Sequence, residues 1–595
     1  MRILQSSPEM YLQRLEGHVD FFRRRLFAPG QRGVAKPAGL AFLLCCLCIF
    51  FLRAWSAEGS LPNQGTAREV SSSYLHLLVP ASEGNANLCK TIFSAAALDY
   101  PTPQIVNWQR KFDDPNLIFG GSHIAKIEGI LNFLRGLTPE SDEDLALIID
   151  GYDIWFQLRP SVLIERYHAI NRRANDRIRA RLGPEASEME NVAQSVIFSS
   201  QKRCWPSAED DFACYAVPLS DLPKDVYGPE TDTDIGDDKN PYVKFRQRFL
   251  NSGTVIGPVA KLRAVFERAL EKSKVNSNIG SDQGVFAEIF GEQEYQREVI
   301  RQRHLPQTLP SRLSRFISNI FRQPDHRDGI LDPAHHRQME ASDGILYEFG
   351  IGLDYRSEIS QPTVFSEDDL AWTIQTSPNY HGVVHEMSQA AETTPQHHPP
   401  RQPSGIPSDI HRSTPPFWAP DHAQTRAHEL PAEQTWDEVP LYTNLWTDIA
   451  PAAIHHNAHR DGLKSRIQTL WNQTWYFPHL RALLAASARS PRTPCAVVQQ
   501  PPAPGLSPSS SSPHALAHSY WSPIDERGCV KTDADLLRWG DVALCGDAAI
   551  ADEVFRDGGG AWRDQVVTLD WNKTVADGQL ERWRADVRGS ASGSV

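Results

Sequence analysis

The chain has 595 residues, 41% hydrophobic and 22% charged, and a formal net charge of −13. That length allows about two to four domains with a sizeable core, and the acid excess argues against a nucleic-acid binder that grips phosphates through a basic face. Six of the nine cysteines (Cys89, Cys204, Cys214, Cys495, Cys529 and Cys545) lie outside the apolar segment described next. In an oxidising compartment that even number permits up to three disulfides, whose pairing stays open.

Residues 1–37 are basic, with Arg23, Arg24 and Arg25 in a row and only Glu9, Glu16 and Asp20 against them. The run AGLAFLLCCLCIFFL at 38–52 is uncharged, and Ala54 and Trp55 extend it past Arg53. It is short for a membrane span, and a cleaved signal peptide has a core of similar length. The long basic leader and the missing small-x-small site favour an uncleaved signal anchor over 38–55. Basic residues stay cytosolic, so the expectation is a single-pass type II protein of the Golgi or ER membrane with a lumenal bulk. Residues 56–73 read as a polar stem. Asn472-Gln473-Thr474 and Asn572-Lys573-Thr574 are glycosylation sequons that suit a lumenal location.

Tyr74–Val79 and Lys90–Ala97 read as the first strands of a globular part. Gly120–Gly136 opens on a glycine turn and continues at helical spacing through Ile124, Ile127, Ile130, Leu131 and Leu134; Lys126 there could face a phosphate, but reads rather as a solvated helix lysine. Leu145–Leu158 is LALIIDGYDIWFQL, an unbroken apolar run closed by Asp150, Gly151, Tyr152 and Asp153. Such a run suits a strand buried on both faces, whose carboxyl end is where open α/β sheets gather ligands. Pro160–Leu182 is a charged amphipathic helix. Val196–Ser199 is a short strand leading to Gln201, Cys204 and Trp205, and Phe249–Gly257 a strand with Asn251, Ser252 and Gly253 at its entry. Lys261–Lys274 is helical. Gly280–Phe290 places Asp282 and Gln283 at a helix N-terminus, where Asp282 alone would pass for a cap. Gly344–Asp354 is strand-like. Residues 302–336 and 376–440 are too irregular and polar to order themselves and read as insertions. Order returns at Trp446–Leu484, a His-rich turn at Ile454–Lys464 followed by helix formers. Residues 485–595 read as a Pro/Ser linker and a C-terminal segment without an assigned role.

Asp150 and Asp153 can both reach one divalent cation, and their hard oxygens suit Mg²⁺ or Mn²⁺. A metal-bridged diphosphate of a nucleotide-sugar needs such an acid pair, although a strand followed by an Asp-Gly turn looks the same in isolation.

Taken together these segments resemble the glycosyltransferase domain of the procollagen lysyl hydroxylase and glycosyltransferase family, and more closely fungal-type lumenal proteins built on that domain alone. Asp150-Gly151-Tyr152-Asp153 is similar to its Asp-x-Tyr-Asp motif, Phe198–Pro206 to its strand ending in Cys-Trp-Pro, and Leu250–Gly257 to its Leu-Asn-Ser-Gly segment. Asp282-Gln283, Leu353-Asp354-Tyr355 and His455–Ala458 follow in the family's order. The resemblance spans 74–484, interrupted by the two insertions. It implies a GT-A-like, Rossmann-related α/β fold, a mixed sheet flanked by helices. It further implies Mn²⁺ (or Mg²⁺) on Asp150, Asp153 and His455, and a UDP-sugar held by Asp150, Asp153, Asn251, Asn457 and Lys464. Asp282 and Gln283 would lie at the transferred sugar, and Trp205 and Gln201 on the acceptor side. The implied reaction is transfer of glucose or galactose to a hydroxyl of an unidentified protein or glycan.

Three departures bear on this. Gln201 stands where the family has Glu, Ala458 where it has Gly, and His456 beside His455 leaves the metal ligand open between the two. The alternative reading is a catalytically inactive lumenal binding protein of the same fold. The family's other activity, an iron hydroxylase with a His-x-Asp motif, finds short matches at His326-Arg327-Asp328 and His459-Arg460-Asp461, but too little chain follows for its domain.

Overall fold

The computed structural model describes residues 71–562, apart from 237–239, 276–279, 306–329, 332–346, 377–404, 419–429, 460–464, 491–492 and 500–516. The basic tail, the expected anchor, nearly all of the stem, most of both insertions, His326-Arg327-Asp328, Asp461, Lys464 and the second sequon lie outside the described residues. Every element below belongs to the unit Val70–Val595. Among the described residues no helix is long and apolar enough to cross a membrane.

The unit is α/β, a mixed sheet flanked by helices. Its central strand, β1 (Ser71–Pro80), runs parallel to β2 (Gln104–Val106) on one side and to β3 (Leu145–Ile149) on the other. Beyond β3 lie β6 (Phe249–Pro258), antiparallel to it, then β5 (Val196–Gln201) and β7 (Ile351–Asp354). All five residues of β3 are buried, and they alternate between two cores. Leu145, Leu147 and Ile149 face one with α1 (Ala86–Ala97) and α3 (Pro160–Leu182). Ala146 and Ile148 face the other with α2 (Ser122–Gly136), α4 (Val259–Val275) and α5 (Asp282–Arg303). Burial on both faces is why this stretch carries no polar alternation.

Lys90–Ala97, expected as a strand, belongs to helix α1. The Asn85 side chain accepts from the Leu88 N–H at 3.0 Å and caps it. The helix is buried almost all round, with Lys90 paired to Glu553 at 2.7 Å, so it lacks the polar stripe that marks helical periodicity.

The segment after Leu484, given no role above, extends the same sheet. Strand β13 (Ala517–Trp521) pairs with the first residues of β1 and carries β12 (Ala496–Gln499) on its other side. Strand β14 (Cys529–Thr532) pairs with β2 and with β15 (Leu536–Arg538). Helix α6 (Leu480–Arg489) and helix α7 (Ala548–Phe555) pack on α1, and a Cys89–Cys545 disulfide ties α1 to the approach to α7. Sequence pattern missed this because partners so distant along the chain leave no local signature. A second disulfide, Cys204–Cys214, closes the loop that carries Trp205, while Cys495 and Cys529 stay reduced.

Two features place the site. The chain leaves β1 for β2 on one side and reaches β3 on the other, so a crevice opens beyond the carboxyl ends of β1 and β3. At that edge a small sheet forms from β4 (Ile154–Phe156), β8 (Ser360–Pro362) and β11 (Ala453–His455). β4 follows the acid pair directly, and its Ile154 pairs with His455.

Candidate metal centre

Strand β3 delivers Asp150 to the crevice, where its N–H donates to the Gly253 carbonyl at 2.9 Å. Gly151 turns against the loop after β1; a Cβ there would overlap the Pro80 carbonyl. The Tyr152 hydroxyl accepts from the Ser82 and Glu83 N–H groups and pins that loop. Asp153 enters β4, and its carbonyl accepts from the His456 N–H at 2.7 Å. That ladder brings a residue some 300 positions downstream beside the acid pair.

Asp150, Asp153 and His455 converge, each offering one ligand atom within 4.8 Å of the others. His455 Nε2 lies 3.6 Å from Asp150 Oδ2 and 3.5 Å from Asp153 Oδ1. Its Nδ1 lies 3.2 Å from Asn251 Oδ1, an arrangement that orients a ligating imidazole from behind. The ring rests on Gly253, where a Cβ would overlap it. Glycine is therefore required by close approach, and a register shift supplies the geometry: Phe198 pairs with Val255 but Ser199 with Asn251, leaving Ser252–Thr254 unmatched by β5. Irregularities of this kind re-aim side chains next to functional sites.

The adjacent His456 is not among the three residues that converge. His456 lies against Trp155, with ring centroids 4.0 Å apart. Its burial pushes the imidazole down to about 3, so it stays neutral.

Three residues not assigned to the site from sequence, Lys126, Ser252 and His123, complete the centre. Lys126, expected in solvent, is buried. Its ammonium donates to Asp150 Oδ1 at 2.6 Å, Asp282 Oδ2 at 2.8 Å and the Ser252 carbonyl at 3.1 Å. Ser252 Oγ donates to Asp282 Oδ2 at 2.9 Å, and His123 Nδ1 lies 2.9 Å from Asp282 Oδ1. His123 and Lys126 are one helical turn apart on α2 and so share a face; that spacing after a glycine turn was the available signal. Asp282 is not a cap, a task that Ser281 performs. Burial raises the cost of its charge, but Lys126 and His123 outweigh that and hold its carboxyl far below the usual range. The Lys126 ammonium is likewise stabilised, since Asp150 and Asp282 overcome its burial.

Asn251 joins this centre to the residues expected on the acceptor side. Its Nδ2 donates to Gln201 Oε1 at 2.9 Å and Gln283 Oε1 at 3.1 Å. Gln283 Nε2 donates to the Trp205 carbonyl at 2.6 Å, leaving the Trp205 ring half exposed. Gln201 is buried, its Nε2 donating to the Arg203 carbonyl at 2.9 Å. Asn457, expected at the donor, uses its Oδ1 to accept from the Val364 N–H at 3.0 Å and braces the loop after β8.

No protein-family model and no curated protein matches this chain.

The donor set itself fits a cation. Burial opposes an imidazolium at His455, yet Asp153 and Asp150 outweigh it and raise the affinity of His455 for a proton. With Nδ1 donating to Asn251, a neutral His455 would aim its Nε2 lone pair at the same two carboxylate oxygens, a donor set that a cation between them would satisfy. Three carboxylates against one ammonium leave an excess of two negative charges, which matches a divalent ion. Two carboxylates and one imidazole are donors that divalent ions accept.

Proposed function

We propose that the protein is a lumenal, metal-dependent glycosyltransferase of GT-A-like fold, held by an N-terminal type II anchor. It would transfer glucose or galactose from a UDP-sugar to a protein or glycan hydroxyl. The observation that carries this reading is the meeting of Asp150, Asp153 and His455 at the carboxyl end of β3, with Asp282 held beside them by Lys126. The likeness of the ordered motifs to the procollagen glycosyltransferase domain supports it.

Mn²⁺ at these three residues would supply Lewis-acid neutralisation of the charge on a departing diphosphate. The chain's own residues do the rest. Lys126, a fixed cation beside Asp150, adds positive potential on the same side of the crevice. Asp282, kept ionised by Lys126, His123 and Ser252, presents a carboxylate suited to a sugar hydroxyl or to the positive charge that develops at a sugar ring. Asn251 sets the imidazole of His455 and, through Gln283, the position of Trp205, whose exposed ring offers an apolar platform for an acceptor.

One observation favours the second reading, nucleotide binding without turnover. Gln201 is neutral and spends both ends of its amide inside the protein, so it offers no general base where the family carries a carboxylate. Calorimetric titration of UDP into the purified protein, with Mn²⁺ and then with EDTA, tests both. Metal-dependent binding with slow UDP-sugar hydrolysis supports the enzyme; metal-dependent binding without hydrolysis supports the binding protein. Absence of binding in either condition removes both readings.

A further inference from the structure

We propose that Asn472 is an N-glycosylation site that is modified before the chain folds. The proposal rests on the lumenal placement in the reading above, and is independent of the metal chemistry.

Asn472-Gln473-Thr474 has no proline at its middle position and meets the acceptor pattern. Asn472 and Gln473 are exposed on a single 3₁₀ turn, Trp471–Gln473. The residues on either side are the reverse. Trp471 is fully buried, donates from Nε1 to the Val554 carbonyl at 2.7 Å, and packs on Trp155 with ring centroids 4.9 Å apart. Thr474 is 3% exposed, and its hydroxyl donates to the Trp471 carbonyl at 2.8 Å. The turn therefore presents the Asn472 amide outward on a rigid base, with room in solvent for a large polar substituent.

The same contacts set the timing. A transferase must engage the threonine hydroxyl of the sequon as well as the asparagine, and in the folded protein that hydroxyl is buried and already donating. Modification thus belongs to the unfolded, translocating chain. Asn472 Nδ2 forms a bond to the anomeric carbon of a polyprenyl-diphosphate-linked oligosaccharide as the anomeric C–O bond breaks. The diphosphate leaves with the bonding electron pair, and Nδ2 gives up one proton. Two disulfides, Cys89–Cys545 and Cys204–Cys214, suit the oxidising compartment in which such donors are found.

The test is expression of the full chain through a eukaryotic secretory pathway, with amidase release of glycans in heavy-oxygen water and peptide mass spectrometry. The expected result is conversion of Asn472 to labelled aspartate, and loss of one glycan's mass in Asn472→Gln. Folded, unglycosylated chain offered to the same membranes should remain unmodified. Unlabelled Asn472 in a sample whose two disulfides are intact would overturn the proposal while leaving lumenal placement standing. Unlabelled Asn472 with all cysteines reduced would overturn both. Glycosylation of the folded chain would overturn the timing.

Discussion

Lys126→Met keeps the aliphatic stem of the side chain and removes the ammonium that joins Asp150, Asp282 and the Ser252 carbonyl. The two carboxylates feel this unequally. The Asp150 side chain is 32% exposed and takes water in place of the ammonium, whereas that of Asp282 is 5% exposed and keeps only His123 and Ser252. Removing one partner of a buried pair costs about 3–5 kcal/mol; the two surviving partners of Asp282 put this case near the lower end. Metal binding should move the opposite way. The cluster becomes more negative by one charge, so loss of the ammonium's repulsion should tighten Mn²⁺ by about tenfold or more, about 1.4 kcal/mol at the least. Denaturant unfolding and Mn²⁺ calorimetry on the wild type, Lys126→Met and Lys126→Met/Asp282→Asn read both effects. The double variant should regain part of the lost stability, because the uncompensated charge is gone. Unchanged stability together with unchanged or weaker Mn²⁺ binding in Lys126→Met would refute the assignment of Lys126 as the cation that balances these acids.

His455→Ala should abolish Mn²⁺ binding with little change in fold, while His456→Ala should retain Mn²⁺ binding and lower stability through loss of packing on Trp155; calorimetry beside thermal unfolding separates the two. Gly253→Ala alters no charge, yet its Cβ would displace the His455 ring, so Mn²⁺ affinity should fall at least tenfold (about 1.4 kcal/mol); retained affinity would show that the ring does not bind where it now rests. On the far side of the fold, burial holds His168 down to about 4, beside the charge of His518 and with its Nε2 3.0 Å from the Tyr520 hydroxyl. Its folded value lies below the unfolded one, so its contribution is complete above about pH 6.5 and is lost as pH falls toward 4, up to about 3 kcal/mol. His168→Gln should flatten the stability profile in that window, and an unchanged difference from wild type between pH 7 and 4 would sink this assignment.

Local pattern determined a good deal of this protein. The strand of the acid pair, the helices on either side of it, the strand through Asn251 and the helix that begins at Asp282 are each written in a few consecutive residues, because burial on both faces and helical period are short-range properties. Where surroundings change the pattern, reading fails: α1 passed for a strand because it is buried almost all round, and Lys126 passed for a surface residue because a lone lysine on a helix looks the same whether or not two carboxylates await it. Only the tertiary structure chose His455 over His456. Neighbours in a strand point to opposite faces, and which face meets the acids depends on the register of β11 against β4. Only the fold, likewise, carried the C-terminal strands back to β1 and β2. That pairing joins residues hundreds of positions apart, and its stabilisation comes from completing a shared sheet, which neither segment displays by itself.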